Sequence, residues 1–291
     1  NEKFNTVTSG SAVWQAETTN SHTVFASSGA GFVAHGKSFF TLKGFTITNS
    51  FFGGVNLGIT TPTLFMHDIT IQDMNIISPA QNHGIWAGYM EFGCYNIVFN
   101  NNYITNTPLE AIYLGHFSYL APTITNCTII DNTVVNCGIG VQGDIDVKPG
   151  ASGCTVLRNH VYRSGTTAGS TCGVVIAAPN CLIEGNNFDH EDKDSLGDWG
   201  FGIYVNGEGN GMGSGIAVTN TIIHHNTINE NPAAGIRLLA TAAGGSVVAD
   251  IHDNSIFNNT SGIELRSSNG RLVLATLCQN GFSNNNPDGN I

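Results

Sequence analysis

The sequence predicts an all-β chain wound into a right-handed parallel β-helix of about eight coils, and three observations carry that expectation. Charged residues make up only 11% of the 291 residues while Gly numbers 36, against roughly 25% charge in ordinary globular domains. Good helix formers are scarce, and β-branched residues alternate with Asn and Gly, which tolerate the left-handed backbone that tight turns demand. A unit of about 28 residues then recurs along most of the chain, and a unit too small to bury its own apolar face must stack on its neighbours.

The elements follow in order from two landmarks. Asn102, Asn132, Asn159, Asn186, Asn226 and Asn254 are each followed two places later by an apolar residue: Ile104, Val134, Val161, Phe188, Ile228 and Ile256. The Asn spacings are 30, 27, 27, 40 and 28, and Phe45 before Ile47 and Met74 before Ile76 extend the frame to eight units. An Asn amide donates to one neighbour and accepts from the other, so the repeated Asn is expected to form an internal ladder. The second landmark is a strand of two apolar residues around a variable one: Val55–Leu57, Ile85–Ala87, Ile112–Leu114, Ile139–Val141, Val174–Ile176, Ile203–Val205, Ile236–Leu238 and Ile263–Leu265. With a side-chain period of two, the flanking pair points inward and the middle residue outward. Leucine-rich repeats share the period but need an L-x-x-L-x-L frame, and propeller blades run longer. One domain, 1–291, is expected: a cap or partial coil over 1–35, repeats over 36–271, and a last coil or cap over 272–291.

Lys plus Arg total 10 against 21 Asp plus Glu, a net charge of −11, which repels nucleic acid and anionic lipid. No apolar run reaches membrane-span length, and the opening NEKFNTVTSG lacks a basic and apolar leader, so a soluble, secreted protein with its export signal already removed is expected. Among seven cysteines, Cys127, Cys154 and Cys181 lie 27 apart and stack as buried thiols, while Cys137 and Cys172 are the best disulfide candidates. Sequons at Asn126, Asn258 and Asn259 would permit glycosylation in a eukaryotic host.

The variable strand positions form a column, Asn56, Trp86, Tyr113, Gly140, Val175, Tyr204, Arg237 and Glu264, whose aromatics suit the C–H faces of sugar rings unless insertions such as 189–199 fold over and cover them. The densest polar cluster is Gln142, Asp144, Asp146 and Lys148, which share parity, so an extended stretch turns all four one way. Two such carboxylates suit a shared calcium, or an acid and base flanking a glycosidic bond. Lys148 is a candidate base if a metal neutralises the carboxylates. His83 and Glu110 precede their strands on adjacent coils, in register with Cys137; their parity is inward, but a turn there would expose them. The Asp189–Asp194 run and Asp198-Trp199 belong to the oversized 40-residue unit. His224 and His225 are adjacent, so one is expected to face in and one out, which argues against a shared metal.

At Asp144-Ile-Asp-Val-Lys-Pro-Gly150, followed by Cys154-Thr-Val-Leu-Arg-Asn-His-Val161, the chain resembles the pectate-lyase-like superfamily of right-handed β-helix proteins. The fold resemblance covers 36–271. It implies a polysaccharide lyase in which acidic side chains hold calcium and a Lys or Arg is the base, with Asp144 and Asp146 as metal ligands and Lys148, Asp144 and Asp146 as the catalytic set. Such lyases place an arginine on the next coil's strand, where this chain has Val174–Ala178. The paired aspartates of polygalacturonases and the Arg-x-Pro-x-x-Arg of pectate lyases are absent too. The expectation is therefore an extracellular, calcium-assisted lyase of a uronate polymer, with Trp86, Tyr113, His83, Glu110, His116, Gln142, Tyr204 and Arg237 as substrate-binding residues. The alternatives are a hydrolase using paired carboxylates and a non-catalytic binder or tailspike-like adhesin.

Overall fold

Because Asn and Gly punctuate short apolar strands at a near-constant period, each coil returns its strands to the same place. A computed structural model describes residues 12–15, 22–25, 30–34, 36–51, 53–58, 65–77, 79, 83–87, 93–115, 124–138, 143–163, 172–189, 200–207, 215–268 and 270–286. These form three sheets of 12, 10 and 9 strands. Neighbouring strands are one coil apart and parallel, as where Ile112–Leu114 pairs with Ile85–Ala87 on one side and Ile145–Val147 on the other. We call the three the long, middle and site sheets. Strands Ala12–Gln15 and His22–Phe25 pair with Phe40–Lys43 and Phe45–Thr48. At the other end, Leu272–Cys278 and Gly281–Ser283 continue the long and middle sheets.

The core is a set of apolar columns. The residue two places after each ladder Asn is buried in every described coil, from Ile104 through Val134, Val161, Phe188 and Ile228 to Ile256. The Asn side chains run as one ladder: Asn102 donates to Asn132 at 2.8 Å, Asn132 to Asn159 at 2.9 Å and Asn159 to Asn186 at 3.0 Å. It continues through Asn226 and Asn254 to Asn280. Each amide also donates to a carbonyl of the preceding coil, such as Asn159 to Ile129. A left-handed residue precedes the ladder position in coil after coil: Asn101, Asp131, Arg158, Gly185, His225, Asp253 and Gln279 all have φ between 49° and 65°. A second ladder, Asn231 to Asn259 to Asn285, sits at the next corner; its three members fall one per coil only at the C-terminal end.

The seven cysteines are all reduced. Cys137 lies in the core, whereas Cys172 packs outside it with Val175, Phe201 and Tyr204, so the expected bridge between them does not form. Cys127, Cys154 and Cys181 are buried and stacked by register, as packed thiols. The fourth strand of the site sheet also differs from expectation. It is Ile145–Val147, which pairs with Ile112–Leu114 and Val174–Ile176; Ile139–Val141, the strand expected there, lies wholly outside the described residues along with Gln142. Asp146 therefore takes the column position assigned to Gly140.

Candidate functional site

The outward column of the site sheet reads Asn56, Trp86, Tyr113, Asp146, Val175, Tyr204, Arg237 and Glu264 by register. The sequence left two outcomes for it, an open groove or a column that insertions cover. Trp86 is 7% exposed, Tyr113 2%, Tyr204 2% and Arg237 8%, so the aromatics present no free ring faces. Trp86 and Tyr113 both pack on His83, with ring centroids 5.0 and 4.8 Å away. Farther along, the Arg237 guanidinium lies 3.9 Å above the Phe201 ring and bonds Glu264 through Nε and Nη2 at 2.8 and 2.7 Å.

Parity set His83 and Glu110 inward unless a turn before their strands brought them out, and they face out. The reason is one residue on: a side chain on Gly84 would come 2.5 Å from the Ile104 methyl in the core, so Gly84 points inward as well as Ile85. Two successive inward residues break the alternation and turn His83 to the Trp86 side. Glu110 behaves likewise, with Ala111 inward and fully buried.

Asp144 occupies the same inward register position as Gly84, Ala111 and Gly173. Among the described residues it is the only charged one in that column, and it separates the polar cluster into two. Asp144 is fully buried, with Arg163 Nη2 3.6 Å from its Oδ1. Arg163 also donates to the Cys137 carbonyl. Burial first, and then the Asp144 charge, push the Cys137 thiol up to about 12. The expected common direction of Asp144, Asp146 and Lys148 thus fails, because the bend before Ile145 sends Asp144 inward while Asp146 and Lys148 keep the outward parity.

Outside, Lys148 contacts Asp146 and lies 3.9 Å from Glu110 Oε1, while Glu110 Oε2 is 2.9 Å from His83 Nε2. The Lys148 ammonium sits 5.4 Å from the Tyr113 ring centroid. Its stem crosses Gly115, where any Cβ would lie 2.3 Å from the Lys148 Cβ and φ is +133°, so only glycine permits this approach. Burial pushes the Asp146 carboxyl up to about 7, with Lys148 pulling down and Glu110 pushing up. Burial also raises Glu110, but the His83 hydrogen bond and the charges of His83 and Lys148 outweigh it and hold that carboxyl below its usual value. Two carboxyls on one lysine are therefore driven apart, one toward a proton reservoir and the other toward a fixed anion.

A shared calcium at Asp144 and Asp146 does not fit this donor set. The two side chains leave opposite faces of the strand, and each already meets a cation of the protein. Among the described residues no three His, Cys, Asp or Glu side chains group to hold a metal ion. The structure thus gathers Lys148, Asp146, Glu110, His83, Trp86 and Tyr113, sets Asp144 behind them, and keeps Tyr204 and Arg237 on later coils. His116 and Gln142 lie outside the described residues, as do 190–199 of the acidic insertion. Arg163 was not singled out from the sequence. Its signal was the charge of Asp144 at a position other coils give to Gly or Ala, which calls for a buried partner.

The family model described as right handed beta helix region matches residues 5–147. No curated protein sequence matches the chain. Among solved structures, it is similar to the mannuronan C-5 epimerase AlgE6 A-module of Azotobacter vinelandii: 10% identity, TM-score 0.53, covering 94% of this chain and 78% of that one. It is similar to PfbA, a surface adhesin of Streptococcus pneumoniae, at 14% identity and TM-score 0.51, covering 90% and 71%. A third is a mannuronic acid specific polysaccharide family 6 lyase from human gut microbiota, at 13% identity and TM-score 0.50, covering 93% and 70%. At these identities the likeness is one of fold.

Proposed function

This chain is a right-handed parallel β-helix protein, and we propose that it is an extracellular polysaccharide lyase that cleaves a uronate polymer by β-elimination at the Lys148 cluster. The observation that carries the reading is the buried contact between Lys148 and an Asp146 carboxyl raised to about 7. Burial disfavours the ionised carboxylate, so Asp146 is a proton acceptor near neutral pH in contact with the Lys148 ammonium. Asp146 can then take the lysine proton, and the free amine can remove the proton α to the uronate carboxylate. The C–H electrons form the new double bond, the glycosidic C–O bond breaks, and His83, held by Glu110, returns a proton to the leaving oxygen. Arg237 offers a cation farther along the sheet for a second carboxylate. No step passes through calcium. Because every group is less than a tenth exposed, opening of this face belongs to the reaction.

That closure also favours a second reading, a non-catalytic binder in which the cluster is a structural network. One experiment separates them. A panel of uronate polysaccharides is followed at 235 nm for unsaturated ends and by reducing-end assay, with wild type and Lys148→Arg. Arginine keeps the charge but hardly deprotonates, so the lyase reading expects a rate loss on the order of 10² or more with polymer binding retained. Reducing ends without absorbance would assign hydrolysis, with Asp146 as acid and Glu110 as base. Binding without either product would assign the binder.

A further inference from the structure

The outer face of the long sheet carries a histidine cluster that lies apart from the site sheet and does not depend on the reaction proposed there. His224 and His252 are register partners on adjacent strands, and their rings stack with centroids 4.9 Å apart and planes 8° from parallel. The neighbour on the other side is Glu184, also in register, with Oε2 3.8 Å from His224 Nε2. His225 follows in the chain, and alternation alone would turn it away from His224. It does not turn away, because His225 holds the left-handed corner that precedes each ladder Asn, at φ 55°. The two rings meet at 76°, and their Nδ1 atoms face each other at 2.6 Å.

Two imidazole nitrogens directed at one point must share a proton or a cation, since two lone pairs repel. Glu184 beside His224 Nε2 favours the tautomer protonated there, which leaves the His224 Nδ1 lone pair free for a ligand role. His252 is fixed differently, with Nδ1 2.8 Å from Asp253 Oδ2, so it braces the His224 ring by stacking.

We propose that His224 and His225 chelate a zinc-class divalent ion through their two Nδ1 atoms, at a corner of the long sheet. Imidazole nitrogens suit such ions, and Zn–N bonds of about 2.0–2.1 Å require the facing nitrogens to part by less than an ångström, which ring rotation at a partly exposed corner supplies. No third His, Cys, Asp or Glu among the described residues joins the pair, so water completes the shell, and the proton shared between the two Nδ1 atoms moves to the outer Nε2 of His225.

The test is calorimetric titration of zinc chloride into the full, untagged chain at pH 7.5, in two buffers of different ionisation enthalpy. One zinc per chain is expected, with the same stoichiometry and affinity in both buffers. His225→Asn suits the left-handed corner, and His224→Gln keeps the strand. Each is expected to weaken binding on the order of tenfold or more, while His160→Gln leaves it unchanged. Copper(II) bound in place of zinc is expected to show nitrogen couplings in its electron paramagnetic resonance spectrum, lost in both pair variants. Zinc affinity unchanged in either folded pair variant, or no saturable binding by wild type, would overturn the proposal.

Discussion

Asp146 and Glu110 share one lysine yet respond to pH in opposite senses. Asp146 holds its proton more tightly folded than unfolded, near 7 against an ordinary 3.8, so the folded state loses stability as pH rises through that interval. Glu110 is held below its ordinary 4.5, so its contribution is present above that value and is lost as pH falls through its folded pKa. Urea denaturation between pH 3 and 8 should therefore show Asp146→Asn gaining on wild type from pH 4 to 7, by on the order of a few kcal/mol. Glu110→Gln should differ in pH slope mainly below 4.5. Parallel curves for Asp146→Asn and wild type would remove the raised carboxyl from the account. The residues of this cluster were legible as a group, because few charges in the chain fall so close together. Their directions were not legible, since strict alternation predicts one face for Asp144, Asp146 and Lys148, and a single inward turn before Ile145 reverses Asp144.

Strands and corners were legible to the extent that each repeats. The ladder Asn recurs with an apolar residue two places on, which fixed the coil frame; the second ladder, with three members, offered too short a run to phase. The fourth site-sheet strand was displaced because Ile139–Val141 and Ile145–Val147 have the same pattern, and only pairing decides between them. Compensation at the inward column was readable in retrospect. Val134 and Val161 follow Ala111 and Asp144, where Ile or Phe follows a Gly in the other coils. Asn159→Leu should cost about 1–3 kcal/mol by leaving the Asn132 amide and the Ile129 carbonyl short of a partner; stability equal to a surface control would discount the ladder. Arg163→Met alone should cost about 3–5 kcal/mol by stranding the Asp144 charge, while Asp144→Gly with Arg163→Met restores the column's usual chemistry and most of the stability. A double variant as unstable as the single would mean that the pair is not coupled.

For the whole molecule, stacking makes a column from whatever recurs once per coil, inside and out. The interior is occupied by Ile, Val and amide ladders, so ionisable groups concentrate where the repeat is broken: at Asp144 within, and at His83, Glu110, Asp146 and Lys148 on the face of the same coils. A net charge of −11 makes an anionic polymer an unfavourable partner at long range, so local cations must bring it in; among the described residues on and next to the site sheet these are Lys148, Arg237 and Arg266. The sequence left this face either open or covered, because alternation tells which side chains leave the core and not whether solvent meets them.

The central claim is that burial makes Asp146 the proton partner of Lys148 near neutral pH. Carbon-13 NMR of carboxyl-labelled protein, with the Asp146 signal assigned by its loss in Asp146→Asn, measures this without substrate. The account predicts an Asp146 transition centred near pH 7, moving when Lys148 is replaced by Met, while the Glu110 carboxyl stays ionised to below its ordinary 4.5. An Asp146 transition near the ordinary 3.8 would contradict it, because the carboxylate would then remain a fixed counterion and could not take the lysine's proton.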